Sequence, residues 1–541
     1  MNTKKFSSLL LAGAMSIGLL SGCSTGTPAS STPSAGSPAA STPVEETETS
    51  ILLSVDGVTV NGQNAGTEQA AVYLSNDIIY YEDRDTYESG NPYGEGEASE
   101  RHSADKAAAH TVVNITAPGT YRVSGQLPQG QIRVDLGEEA EKDPAAVVTL
   151  ILDNTDITCS VAPAILFMNV YECDNNWSTD TAVSSVDTSA AGANLVLADG
   201  SQNKINGSHV ARIYKDNTEE KKLWKQDGAI YSYMSMNVDG TGTLDLTADN
   251  EGLDTELHLT INGGSINIFS QNDGINTNED GVSVTTINGG ELHIVAGLGE
   301  EGDGIDSNGW LVINGGTVIA SANPAADAGL DSDMGSFVNG GTVVALGSTM
   351  DWAESDSKQV TMNLQFAQYK EPGSAITVTK EDGSSVFAFA PSEDDTLNGY
   401  ARRYMGAILS SPDFTLGDTY HVFVDGIQQG YTGTDVMMHP GGMGGGRPNF
   451  SGERPEPPES QFPQVPDGKI PERPEDQPPQ FPDGEIPKPP DGQFPQMPEG
   501  GFPPMGGDFP GREDDNITLK EPQFKFYMQD KVNAFSGLTG L

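Results

Sequence analysis

Short stretches of alternating apolar and polar residues recur along most of the chain. In residues 51–60, for example, the two kinds of side chain alternate with a period of two after the first few positions. This alternation predicts β-strands with one buried face, and the Gly, Asn and Asp residues between the stretches predict turns. The fold class predicted from the pattern is all-β.

Residues 227–347 repeat one pattern about five times. Each copy has an acidic turn, then a Gly-Gly corner, then an alternating apolar run with no helical periodicity. The second glycines, Gly264, Gly290, Gly316 and Gly341, are 26, 26 and 25 residues apart. A fixed period of this length predicts a parallel β-helix, in which equivalent strands pair about 4.8 Å apart.

Equivalent apolar positions of the copies should then stack inside the molecule. Glycine at the second corner position permits a positive φ, and the Asn before each corner is expected to join a stacked amide ladder. Irregular β-caps are expected at both ends, because an open end exposes a strand edge. The predicted apolar ladders are Leu253, Ile275, Ile305 and Leu330; Ile261, Ile287, Ile313 and Val338; and Ile266, Leu292, Val318 and Val343.

Changes in composition divide the chain into segments. The predicted segments are a lipoprotein signal peptide at 1–23, a Ser/Thr/Pro-rich tether at 24–49, a β-domain at 50–435, a Gly/Met- and Pro-rich low-complexity region at 436–513, and a C-terminal strand segment at 514–541 that could join the cap.

The N-terminus has a short basic start and an apolar run that ends in Leu20-Ser-Gly-Cys23. This predicts a secretory signal, and its last four residues resemble a bacterial lipobox, in which Cys23 is diacylated. The alternative is a plain signal peptide with an incidental cysteine. The lipobox predicts an anchor on the extracellular face of the bacterial cell membrane, with membrane contact through the lipid only. Cys159 and Cys173 then remain, either as a disulfide or as two free buried thiols.

The charge is strongly negative, with 28 Lys and Arg against 77 Asp and Glu and a net charge of -49. This charge argues against nucleic acid and anionic lipid headgroups as partners. It favours cations, and calcium is the hard cation expected outside cells. Anionic polymers could be held only through a bridging cation. We expect the protein to be a monomer.

The acidic turns are the main candidates for chemistry. Stacked copies place like charges about one strand spacing apart, which destabilises the fold unless a cation offsets it. Calcium binds six to eight carboxylate, amide or carbonyl oxygens. The alternative is a solvated acidic edge, with Asp and Asn as turn formers. The predicted calcium ligands are Asp254, Asp273, Asn276, Asp303, Asp306, Asp331 and Asp333.

Aromatic residues in or beside the repeats could contact sugar rings. Trp224, Tyr231 and Trp310 are the candidates, and the alternative for each is a place in the core or cap. Catalysis has less support, because β-elimination on uronates needs a base and no Lys or Arg occurs in 227–347. Basic residues flank this range: Lys358 lies just after it, and those just before it are Lys204, Arg212, Lys215, Lys221, Lys222 and Lys225. A glycosidase pair among the many carboxylates remains open.

The lipobox, the Asp-Gly-Ile-Asp/Asn turns and the Ile-Asn-Gly-Gly corners together resemble a family of secreted bacterial carbohydrate-binding β-helix proteins. These are described as binding cellulose and acidic sugars, and as similar in fold to calcium-dependent polysaccharide lyases. The resemblance is strongest over residues 194–347. It implies a right-handed parallel β-helix, calcium among the stacked acids, and binding rather than cleavage. Right-handedness also agrees with the general chirality of parallel crossovers.

The function predicted from these features is that of a lipid-anchored cell-surface protein. It would hold cellulose or an acidic plant cell-wall polymer such as polygalacturonate through bound calcium, without cleaving it. One alternative is a calcium-dependent polysaccharide lyase or a related carbohydrate-active enzyme. Another is a structural or adhesion stalk that makes its contacts through the Pro-rich tract.

Overall fold

Strands form nearly all of the regular structure in this computed structural model. The model describes residues 48–81, 101–213, 224–325, 327–349, 351–391, 403–434 and 521–541. These residues belong to one compact unit, 47–541. They include one short helix, α1 (Ala104–Ala108), and one 3-10 turn, Ala140–Lys142.

Three of the predictions concern parts of the chain outside the described residues. These parts are the signal peptide with Cys23, nearly all of the tether, and the Pro-rich region. No helix among the described residues has the length and hydrophobicity needed to span a bilayer.

The strands before the repeats are β1 (Thr49–Leu53), β2 (Thr59–Val60), β3 (Gln63–Asn64), β4 (Val72–Ser75), β5 (Thr111–Ile115), β6 (Gly119–Leu127), β7 (Gly130–Asp135), β8 (Val148–Thr158), β9 (Ile165–Asn169), β10 (Ala193–Leu197), β11 (Gln202–Gly207), β12 (Val210–Ile213) and β13 (Trp224–Gln226). The strands of the repeats are β14 (Gly228–Ser232), β15 (Met236–Gly240), β16 (Thr243–Ala248), β17 (Glu251–Thr255), β18 (Leu259–Ile261), β19 (Ser265–Ser270), β20 (Ile275–Thr277), β21 (Val284–Ile287), β22 (Glu291–Val295), β23 (Trp310–Ile313), β24 (Thr317–Ser321), β25 (Gly335–Val338) and β26 (Thr342–Gly347). The strands after the repeats are β27 (Thr361–Lys370), β28 (Ile376–Lys380), β29 (Ser385–Phe389), β30 (Tyr404–Ser410), β31 (Thr419–Val424), β32 (Ile427–Gly430), β33 (Phe526–Tyr527) and β34 (Val532–Gly540).

The predicted ladders are present. Ile261 pairs with Ile287, Ile287 with Ile313, and Ile313 with Val338, all in parallel. The ladder of Ile266, Leu292, Val318 and Val343 has the same offsets, because β19, β22, β24 and β26 pair in turn. The ladder that starts at Leu253 has unequal offsets: Leu253 pairs with Ile275, and Ile275 pairs with Ile305 through an isolated bridge. The apolar members of the ladders are fully or almost fully buried, so the alternation of period two does separate core from surface.

The predicted amide ladder is present as well. Asn288 Nδ2 donates to Asn262 Oδ1 at 2.9 Å, Asn314 Nδ2 to Asn288 Oδ1 at 3.0 Å, and Asn339 Nδ2 to Asn314 Oδ1 at 3.1 Å. The second glycine of each following corner has a positive φ between 81° and 94°. A side chain there would be strained, which explains the Gly at these positions.

The predicted right-handed parallel β-helix is wrong as the fold of this chain. Twenty-five strands join one large mixed sheet rather than a closed parallel coil, seven more form a second sheet, and β12 and β13 form a third. The large sheet contains antiparallel pairs outside the repeats, such as β1 with β2, β26 with β30 and β28 with β31. The period determines which residues pair between copies, but the aperiodic segments on either side are free to pair antiparallel.

The core has two main parts. The larger lies under the strands from β1 to β26, and the smaller is formed largely by β26 to β34 with Phe366, Tyr404 and Phe526. The C-terminal strand β34 pairs in parallel with β27 and antiparallel with β32. Cys159 and Cys173 are both free thiols.

Candidate cation and carbohydrate site

The parallel register of the seven-stranded sheet brings acidic turns from successive copies together. Leu253 pairs with Ile275, so the next residues, Asp254 and Asn276, also face each other across β17 and β20. On the other side of β17, Glu251 pairs with Gly228 of β14. Neighbouring strands lie about 4.8 Å apart, so the polar side chains of this edge are held within reach of one another.

Asp227, Glu251 and Asp254 form a tight cluster. One oxygen from each lies within 4.8 Å of the other two. Glu251 is 5% exposed and Asp254 0%. Asn276 Nδ2 donates to Glu251 Oε1 at 3.2 Å, and Asn278 Nδ2 donates to Asp254 Oδ1 at 2.6 Å. Each amide therefore donates to one oxygen of a carboxylate, and the other oxygen of that carboxylate receives no hydrogen bond from it.

Three buried acceptors in this cluster have no hydrogen-bond partner among the described residues. They are Glu251 Oε2, Asp254 Oδ2 and Asn276 Oδ1. A buried acceptor without a partner costs about 1–3 kcal/mol, and more if it is charged. All three are hard oxygens of the kind that calcium binds. Their chemistry and closeness therefore fit a bound cation.

Lys225 is the basic residue of the cluster. Its Nζ lies 3.2 Å from Asp227 Oδ2 and donates a hydrogen bond to Asn278 Oδ1. Burial opposes its charge, but the carboxylates of Asp227, Asp254 and Glu251 outweigh burial and raise the pKa of Lys225. The raised pKa favours the ammonium form, so Lys225 is a counter-ion for these carboxylates.

A row of carboxylates continues from this cluster along the repeats. Burial, and then neighbouring carboxylates, raise the pKa of Asp254, Asp273 and Asp303 well above the usual range. The same two causes raise the pKa of Asp306 to about 7. We call this feature the acid row and define it as Asp227, Glu251, Asp254, Asp273, Asp303, Asp306 and Asp331.

Backbone amides hold the acid row in place. The N–H of Asp303 donates to Asp273 Oδ1 at 2.6 Å, and the N–H of Ala328 donates to Asp303 Oδ1 at 2.5 Å. Asp273 and Asp303 are thus each tied to the backbone of the next copy, which fixes their positions although neighbouring carboxylates repel one another when ionised.

Of the seven predicted calcium ligands, Asp254 belongs to the tight cluster with Asp227 and Glu251, and the others lie near it or follow along the repeats. Asp254 and Asn276 join the cluster, and Asp273, Asp303, Asp306 and Asp331 follow along the row. Asp333 is exposed, next to Asp331. Residues that the sequence did not assign to the site are Asp227, Glu251, Lys225 and Asp351, which lies beside Asp331.

The aromatic candidates have different surroundings. Tyr231 is 0% exposed and donates a hydrogen bond to Glu256, so the structure does not support its assignment as a sugar platform. Trp310 is half-buried at the start of β23. Trp224 lies on β13, with its side chain outside the described part. Trp177 was not predicted but is 42% exposed; it lies in a segment without strand alternation, so the pattern gave no reason to select it.

The family model of the carbohydrate-binding domain-containing proteins matches residues 109–386, which is more than half of the chain. The chain belongs to this family. The family match includes the whole acid row. Membership supports the carbohydrate-binding function that the sequence predicted.

A carbohydrate-binding domain-containing protein of Acetivibrio thermocellus is 31% identical to this chain over 157 residues. The match covers 29% of this chain and 44% of the relative, so the chain spans less than half the length of that relative. A solved structure of a polysaccharide lyase-like protein from C. thermocellum, a gadolinium derivative, shares 23% sequence identity. It covers 55% of this chain and 93% of its own, with a TM-score of 0.33, which is too low to define the fold or chemistry of this chain.

Proposed function

We propose that this carbohydrate-binding protein holds an acidic plant cell-wall polysaccharide, such as polygalacturonate, through calcium bound along the acid row, without cleaving it. The observation that carries the proposal is the group of three unpaired buried acceptors, Glu251 Oε2, Asp254 Oδ2 and Asn276 Oδ1. Such atoms are rare in native proteins unless a ligand, ion or water satisfies them.

The residues that would hold the cation are Asp227, Glu251, Asp254 and Asn276. Carboxylate and amide oxygens suit calcium, which accepts six to eight oxygens in flexible geometry. When bound, calcium supplies positive charge that a uronate carboxylate of the polymer can share. The acid row itself would repel that polymer, because the whole chain carries a net charge of -49.

The surroundings of Lys225 support the proposal of binding without cleavage. A β-elimination base must be unprotonated when it takes the proton. The carboxylates around Lys225 raise its pKa, and its Nζ is already engaged by Asp227 and Asn278. These contacts support a role for Lys225 as the counter-ion of the carboxylates rather than as a base that removes a proton.

We expect the purified protein to be retained on polygalacturonate in calcium and released by EGTA. The reason is that calcium offsets the repulsion between the acid row and the uronate groups. A pull-down measured by depletion from solution checks this, with cellulose in parallel as the neutral polymer that the sequence also suggested. Retention on polygalacturonate that EGTA does not change would contradict the proposal. Ultraviolet absorbance of unsaturated products should stay flat in the same samples.

We also propose that the protein is anchored to the extracellular face of the cell membrane through a lipid on Cys23, as Leu20-Ser-Gly-Cys23 suggests. In a bacterial host fed labelled palmitate, the native protein should carry label and sediment with membranes. Cys23→Ala should lose both properties, whereas Cys173→Ala should keep them. Label on the Cys23→Ala variant would rule out this anchor.

A further inference from the structure

A serine and a histidine outside the acid row are arranged as a nucleophile and its base. Ser160 is exposed and follows β8, and His110 is buried and follows α1. Nε2 of His110 lies 3.3 Å from Ser160 Oγ. A serine within reach of a histidine is the pairing that activates a hydroxyl for nucleophilic attack, and such distances often shorten when substrate binds. We call these two residues the Ser160–His110 pair.

The neighbours of His110 determine which of its ring nitrogens carries the proton. Nδ1 lies 2.9 Å from the carbonyl oxygen of Lys106, which can only accept, so Nδ1 is the protonated nitrogen. Nε2 accepts the backbone N–H of Ser160 at 3.3 Å, so Nε2 presents a lone pair. The imidazole is thus in the tautomer that can take a proton from Ser160. The carbonyl of Lys106 orients the ring, which is the task of the aspartate in a Ser-His-Asp triad.

The side chain of Lys106 brings positive charge to the serine. Its Nζ donates to the carbonyl oxygen of Ser160 at 3.0 Å and lies 3.2 Å from His102 Nδ1. Burial and the charge of Lys106 lower the pKa of His102, which favours the neutral ring that accepts this bond. An ammonium has three N–H donors, so one remains for another acceptor. A donor held beside the oxygen that becomes negative during acyl transfer lowers the barrier.

The cysteine next to Ser160 is not a competing nucleophile. Cys159 is 2% exposed, and burial raises the pKa of its thiol to about 11. Because the thiolate is the nucleophilic form of cysteine, the reactive group of this segment is the hydroxyl of Ser160.

We infer that the Ser160–His110 pair hydrolyses carboxylic esters carried on a polymer chain. Because Ser160 is exposed, an ester group on a large molecule can reach its hydroxyl. Hydrolysis of an ester side group leaves the backbone of the polymer intact, so the activity is compatible with binding without β-elimination. It requires neither calcium nor the acid row.

The reaction has two steps, with water as the second reactant. Ser160 Oγ forms a bond to the ester carbonyl carbon while its proton moves to Nε2 of His110. The bond from this carbon to the alcohol oxygen then breaks, the alcohol leaves with the proton from Nε2, and the acyl group stays on Ser160. Water attacks the acyl group and gives a proton to Nε2. Ser160 recovers that proton as the carboxylic acid leaves.

Hydrolysis of 4-nitrophenyl acetate by the full-length protein in EGTA tests the pair. We expect the native protein to release 4-nitrophenol, and Ser160→Ala and His110→Gln to fall to the background rate. Lys106→Met should lower kcat about a hundredfold, because it removes the donor but keeps the carbonyl that orients His110. Ser178→Ala, at an exposed serine between β9 and β10, is the matched control and should keep the native rate. A fluorophosphonate probe should label Ser160, as located by mass spectrometry.

Two polymers distinguish the kinds of ester. Acetate released from acetylated xylan would assign O-acetyl esters, and methanol released from methyl-esterified polygalacturonate would assign methyl esters. Release of neither product, or a native rate in Ser160→Ala, would overturn the inference. Melting curves verify that each variant is folded. Ser160→Ala should still be retained on polygalacturonate in calcium, so a failure of this inference and a failure of the proposed function are separate results.

Discussion

Replacing Glu251 by Gln and Asp254 by Asn together is expected to abolish the rise in melting temperature that calcium gives the native protein. A ligand that binds only the folded state stabilises it by about 2.7 kcal/mol at a concentration one hundred times its dissociation constant. The double variant keeps the shape of both side chains but replaces two of the three clustered carboxyl groups by amides. Differential scanning calorimetry in calcium and in EGTA measures the effect.

In EGTA the same double variant should melt at or above the temperature of the native protein. Among the described residues, Lys225 is the basic side chain beside the buried carboxyl groups of the native cluster. Repulsion between ionised carboxylates there is relieved when two of them become amides. Asp245→Asn is the matched control, because Asp245 is an exposed residue of β16 outside the acid row. If calcium raised the melting temperature of the double variant as much as that of the native protein, the cation site would not include Glu251 and Asp254.

Replacing Lys225 by Met is expected to lower the free energy of unfolding in EGTA by about 3 kcal/mol. Removing one partner of a buried ion pair leaves the other charge uncompensated, which typically costs about 3–5 kcal/mol. The side chain of Lys225 is only 19% exposed, as is that of Asp227. Calcium should restore much of the loss, because it supplies positive charge to the same carboxylates.

Chemical denaturation with and without calcium measures this loss and its recovery. Lys225→Arg should keep most of the native stability because it retains the charge. Lys204→Met, at an exposed position of β11, should change little in either condition. If Lys225→Met were as stable as the native protein in EGTA, the carboxylates would not depend on a counter-ion.

The sequence predicted the local pairing well, because period and alternation act on neighbouring copies. Ile261, Ile287 and Ile313 stack as their spacing of 26 residues requires. The same periodicity does not predict which strands pair with the first and last strands of the repeats. The antiparallel pairing of β26 with β30 depends on residues 404–410, which lie beyond the last repeat. The sequence predicts irregular β-caps at both ends but not which strands pair there, and these pairings make one large mixed sheet instead of the predicted parallel β-helix.

Prediction of the site was likewise limited to contacts between residues of the repeats. Asp254 and Asn276 could be placed together from their register alone. Lys225 could not, because its long side chain reaches into the cluster from outside the repeats. Tyr231 was wrongly selected as a sugar platform because Leu166 and Met168, which bury it, belong to β9. The sequence around Tyr231 gives no sign of this contact.

Because successive copies pair in the same way, the number of copies determines how many sets of carboxylates the protein offers to a polymer. Ile287 pairs with Ile313 just as Ile261 pairs with Ile287, so a whole copy could be gained or lost in evolution while its neighbours still meet. Each such event would lengthen or shorten the acid row by one set of carboxylates. A single inserted residue, by contrast, would turn the side chains after it in that strand to the opposite face. The number of anchoring points for a polymer can thus change in whole steps through duplication, without redesign of any one point.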